Sequence, residues 1–126
     1  MQVSKRQKER WNFGYEQKFI KFYHKFIRHT GNIKERLFDC FDDMEYAYLN
    51  SQSEGVPDDV QKQWQKIWEE LLSKPIVTNY KDEQYSLYNF IHTKRFKSLQ
   101  KYIDFFIEEY ERITSQNIYI NIKKSN

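Results

Sequence analysis

Aromatic and aliphatic residues recur along most of this chain at helical spacing, and the polar residues fill the opposite faces. Tyr15, Phe19, Phe22, Tyr23 and Phe26 fall on one side of a first helix, expected from Tyr15 to His29, with Lys18, Lys21, His24, Lys25 and Arg28 opposite. Thr30-Gly31-Asn32 stops it, and Gly31 suits a left-handed C-cap. A second helix is expected from Ile33 to Asn50, with Ile33, Leu37, Cys40, Phe41, Met44 and Tyr48 as its buried stripe. Ser51 to Gly55 reads as a polar loop. Pro57, Asp58 and Asp59 then open a third helix, because proline fits a first turn and acids suit the positive end of the helix dipole. Val60, Trp64, Ile67, Trp68 and Leu71 form its core stripe, and Ser73-Lys74-Pro75 ends it.

Residues 76–80 form a connector. A short helix from Asp82 to His92 carries Tyr85, Leu87, Tyr88 and Ile91. A longer one from Thr93 to Thr114 carries Phe96, Leu99, Tyr102, Ile103, Phe106, Ile107, Tyr110 and Ile113. Whether His92-Thr93-Lys94 breaks or only bends one long helix is open at this level. Ile118, Ile120 and Ile122 alternate with Tyr119 and Asn121, so residues 115–126 are expected to form a short extended tail. Residues 1–12 are a basic leader without periodicity, expected as a frayed start or an extra helical turn. The predicted fold is all-α: a single-domain bundle of four to five mostly antiparallel helices spanning residues 1–126.

Length and composition support a real core. At 126 residues one domain can bury roughly two thirds of its unfolded surface. Aromatic residues make up 18% of the chain, so that core is built from rings. Cys40, the single cysteine, rules out an internal disulfide and sits on an apolar stripe, where a buried structural thiol outweighs a nucleophile. Met1 to Arg10 lacks the apolar stretch of a signal peptide, and no run reaches the ~20 residues of a membrane span. A cytoplasmic protein is expected, without membrane partners.

Charge changes the picture most. Residues 1–36 hold ten Lys/Arg against three Asp/Glu, residues 37–73 two against nine, and residues 74–126 nine against six. A formal charge of +3 therefore hides a strong internal segregation. Such patterning speaks to partners rather than to fold. The acidic second helix carries Glu35, Asp39, Asp42, Asp43 and Glu45, with Tyr46 projecting among them. Like charges at i, i+3 and i, i+4 oppose helix formation, so this face calls for cations, either from the first helix or from a partner. An aromatic ringed by charge is a hot-spot candidate. Phe105, also off the main stripe, is expected to be covered by a neighbouring segment.

Lys18, Lys21, Lys25 and Arg28 share one face and form the alternative site, for nucleic-acid phosphates, with Lys94, Arg95 and Lys97 as added cations. No aromatic platform accompanies them. Enzyme chemistries find little support. His24, His29 and His92 do not share a helix face and none follows a glutamate by three residues, so no metal site is expected. Three isolated glycines make no phosphate-binding loop, and no cofactor is expected.

The segment Val56-Pro57-Asp58-Asp59-Val60, with Trp64, Ile67-Trp68-Glu69-Glu70-Leu71-Leu72 and Ser73-Lys74, resembles a stretch found in small all-α bacterial immunity proteins. Those proteins are partners of secreted or contact-dependent toxins. The resemblance implies a non-enzymatic cytoplasmic inhibitor that binds a toxin domain. Where the toxin is a nuclease its surface is often basic, which the acidic helix would complement. No contact residue is carried over by the resemblance. Glu35, Asp39, Asp42, Asp43, Glu45 and Tyr46 are the expected contact surface for a basic toxin or nuclease domain. A homodimer that joins the basic helix of one copy to the acidic helix of another fits the charge pattern equally well.

Overall fold

A computed structural model describes residues 5–73 and 83–125, with side chains for residues 14–73 and 86–115. Among the described residues there are six helices: α1 (Lys5–Arg28), α2 (Ile33–Asp39), α3 (Phe41–Ser51), α4 (Asp58–Leu71), α5 (Glu83–His92) and α6 (Phe96–Ser125). The described chain is all-α, with six helices where four to five were expected.

Four of these helices form an antiparallel ring. Lys25 meets Asp43 and Lys18 meets Tyr46, so α1 and α3 run in opposite directions. Phe41 and Tyr48 stack on Trp68 and Tyr48 also meets Trp64 at a tilt, which sets α4 antiparallel to α3. Glu70 meets Tyr102 and Trp64 meets Phe105, so α6 runs against α4. Phe26 against Phe106 and Tyr23 against Tyr110 close the ring between α6 and α1. Trp64 lies at the centre, fully buried, touching Phe19 of α1, Tyr48 of α3, and Phe105 and Phe106 of α6. Truncating such a residue costs about 3–5 kcal/mol, because the surrounding rings cannot collapse into the space. The short helices α2 and α5 lie against each other, with α2 also touching α6 and α5 touching α4. They close the end of the bundle where α1 finishes and α6 starts.

Several expectations are corrected. The second helix does not run unbroken from Ile33 to Asn50: Cys40, at φ −95° and ψ 15°, separates α2 from α3. α3 packs along α1 and α4 while α2 packs on α5, and one straight helix cannot serve both. Thr93, Lys94 and Arg95 do break α5 from α6. The chain is helical through Ser125, so the tail is not extended. Ile118 and Ile122 also satisfy an i, i+4 spacing, and five alternating residues do not separate the two periods. The basic leader takes the helical of its two expected forms, with α1 beginning at Lys5. Residues 1–4, the connector at 76–80 and Asp82 lie outside the described residues, as does the side chain of Tyr85. Gly31 does not take a left-handed conformation; Gly55, at φ 99°, does. Tyr88, Phe96 and Ile107, counted with the buried stripes, are exposed, and Phe90, left off them, is buried; Phe105 is covered as expected, its ring packed on Trp64 and Phe106.

Candidate functional site

Helix α3 presents three faces. Met44, Ala47 and Ser51 turn into the core. Asp43 points to α1, where Lys25 Nζ lies 2.9 Å from Oδ2 and Lys21 Nζ 4.0 Å from Oδ1. The hydrogen bond from Lys25 to Asp43 comes first among the causes that raise the lysine's pKa, so the ammonium keeps its charge at neutral pH. The third face points away from the bundle. Asp42, Tyr46 and Leu49 lie on it at i, i+4 and i+7, and Tyr46 and Leu49 are each 56% exposed. Glu45, half-buried, belongs to the same stripe. The α3 N-terminus gives part of the reason for Asp42 and Asp43, since both sit in its first turn and complement the helix dipole.

The remaining acids lie on α2. Asn32 caps this helix, its Oδ1 accepting from the Glu35 N–H at 3.0 Å. Glu35 is exposed, and among the described residues no cation pairs with it. Asp39 accepts from His29 Nε2 at 2.7 Å. The Gly31 N–H donates to His29 Nδ1 at 2.8 Å, so that nitrogen is the acceptor and the neutral ring carries its proton on Nε2, facing Asp39. Gly31 is required here for space: a Cβ would come within 2.7 Å of both His29 Cε1 and Glu35 Oε2.

The six acidic-site residues are therefore not one surface. Asp43 is committed to α1 and Asp39 to His29, whereas Asp42, Glu45 and Tyr46 share the outward stripe and Glu35 lies on the α2 side. Leu49 joins the stripe and was not singled out by sequence, although its i+3 spacing from Tyr46 is the signal that places it there.

The basic alternative is arranged differently from its sequence pattern. Lys18 Nζ lies 5.8 Å from the Tyr46 ring centroid, and Lys21 and Lys25 face Asp43. Arg28 is exposed in the last turn of α1. Lys94 lies over the Phe90 ring at 5.2 Å, and Arg95 and Lys97 are exposed beside it in the chain.

Sequence reasoning missed a buried polar network around Glu109, which is 3% exposed on α6. Tyr15 Oη donates to Glu109 Oε2 at 2.5 Å, and Trp64 Nε1 donates to Tyr15 Oη at 2.9 Å. Arg112 clamps the same carboxylate through Nε at 2.5 Å and Nη2 at 3.1 Å. Burial, with the neighbouring Glu109 charge, pushes the Tyr15 phenol far up, so it stays a donor. Burial also raises Glu16, against the pull of Arg112. The network ties α1, α4 and α6 together, a structural role. The i, i+3 pairing of Glu109 with Arg112 is the only local hint of it.

Cys40 is fully buried, and burial pushes its thiol above the ordinary value. Among the described residues no group of three His, Cys, Asp or Glu gathers to hold a metal ion. No described helix is long and apolar enough to cross a membrane. No protein-family model, curated protein or solved structure matches the chain.

Proposed function

We propose that the protein is a non-enzymatic inhibitor of the immunity-protein kind, which neutralises a basic toxin or nuclease domain in the cytoplasm. The observation that carries this reading is the outward stripe of α3, where two half-exposed apolar side chains, Tyr46 and Leu49, follow Asp42. Tyr46 and Leu49 stay half-exposed even with Lys18 Nζ 5.8 Å from the Tyr46 ring centroid, and the stripe's composition is that of an interface: an aromatic anchor with a polar tip, an aliphatic neighbour and carboxylates around them. Asp42 and Glu45 would meet lysines and arginines of the partner and steer its approach. Tyr46 and Leu49 would supply the desolvated centre. Asp43 and Asp39 support this surface from behind by fixing α3 on α1 and α2 on the α1–α2 turn.

The nucleic-acid reading loses ground on the same geometry. Three of its four lysine and arginine positions lie against α3, where acids and the Tyr46 ring already face them. The test is a pull-down from the native host with the wild-type chain beside an Asp42→Lys, Tyr46→Ala double variant. A basic protein retained by wild type and lost by the folded variant supports the inhibitor. Nucleic acid in both eluates, released by salt, moves the function to α1.

A further inference from the structure

At the end of the bundle α2 and α5 face each other with matching stripes. Glu35, Phe38 and Asp39 on one, and Tyr88, Ile91 and His92 on the other, line a groove of about 380 Å³ together with Asn32 and Lys34. Its volume is near the lower end of the range for pockets that hold small ligands. Buried Ile91 belongs to its wall. Phe38 and Tyr88 meet edge to face at 5.7 Å, and Tyr88 remains 44% exposed. The His92 ring meets Tyr88 at 4.0 Å, also edge to face.

We propose that this groove is a guanidinium site that takes an arginine side chain from the basic partner. The groove has the three features an arginine uses: apolar wall for its aliphatic stem, aromatic rings for its planar head, and carboxylates for its N–H fork. Glu35 supplies a carboxylate that no described cation neutralises, and Asp39 spends Oδ2 on His29. The cation native to the rim, Lys34, is drawn aside, its Nζ 5.0 Å from the centroid of the exposed Phe96 ring. A lysine would fit less well, because a compact, strongly hydrated ammonium neither stacks nor forks. The inference rests on the inhibitor reading only in taking the partner to be basic, and it adds a second foothold at the bundle end.

The probe is N-acetyl-arginine amide, titrated into the full chain and followed by NMR, with the lysine and norleucine amides in parallel. Saturable shifts at Phe38, Tyr88 and Ile91 are expected for arginine, weaker ones for lysine and none for norleucine. Glu35→Gln keeps the backbone cap at Asn32 and should weaken arginine binding roughly fivefold with the rest of the spectrum unchanged. Equal shifts with norleucine, absence of a saturable response to arginine, or unaltered affinity in Glu35→Gln would overturn the proposal. The probe requires no partner protein. Failure here therefore leaves the α3 reading standing, and loss of that reading in the pull-down leaves this result interpretable.

Discussion

Lys25 holds Asp43 at 2.9 Å, and this ion pair divides the acidic helix into a side used within the fold and a side turned outward. Charge that looks uniform along residues 37–73 is thereby split between two tasks. Removing Asp43 should cost more stability than removing Asp42, which loses only the helix-dipole contribution the two share. Asp43→Ala is expected to lower unfolding free energy by about 0.5–1 kcal/mol, an effect that shrinks with salt. Asp42→Ala is expected to stay within about 0.5 kcal/mol of wild type. Urea denaturation at low and high ionic strength checks both.

Tyr15 receives a hydrogen bond from Trp64 and gives one to Glu109. Tyr15→Phe removes both while leaving the ring in place, so a buried indole N–H and a buried carboxylate oxygen each lose a partner. The expected loss is about 1–3 kcal/mol, read from urea unfolding.

Glu16 supplies a pH test. Its folded pKa is raised, so the folded state holds the proton over a range where the unfolded chain has released it. Stability from this group is therefore present at acidic pH and declines as pH climbs through the interval between the ordinary glutamate value and the raised one. Glu16→Gln should match wild type at low pH and exceed it at neutral pH. Glu70 works in the opposite sense: burial alone would raise it, but hydrogen bonds from Tyr102 and Lys101 outweigh burial and hold it below its ordinary value. Its contribution is present at neutral pH and lost on acidification through its lowered pKa. Glu70→Gln should therefore weaken the protein most above the ordinary glutamate range, and paired pH–stability curves for the two variants should diverge in opposite directions.

Gly31→Ala places a methyl group 2.7 Å from His29 Cε1 and Glu35 Oε2. Glu35 can swing away, but the His29 ring is fixed by the Gly31 N–H and by Asp39. The substitution is expected to destabilise by about 1–3 kcal/mol and to move the His29 ring resonances, observable by NMR.

The bundle was legible because aromatic and aliphatic side chains repeat with the helical period: Phe19, Phe22, Trp64, Leu99 and Phe106 all fall on predicted stripes and are all fully buried. The bend at Cys40 was not legible. No glycine or proline marks it, and it arises from the different neighbours of α2 and α3. Burial of Glu109 was hidden because Tyr15, its partner on α1, lies 94 residues away. At the candidate site, helical spacing placed Asp42 and Tyr46 on one face, but pairing could not be read from spacing. That Asp43 turns inward and Asp39 meets His29 depends on how α1 sits against α3 and on the turn at Gly31.

The central claim is that the outward stripe of α3 is the binding surface. With the basic partner from the pull-down in hand, the decisive measurement is its dissociation constant for wild type, Asp42→Lys and Tyr46→Ala, each first shown to unfold at the wild-type midpoint. The account predicts that Tyr46→Ala weakens binding by at least about thirtyfold, the hot-spot scale of about 2 kcal/mol, and that Asp42→Lys also slows association. Wild-type affinity in both variants would contradict it.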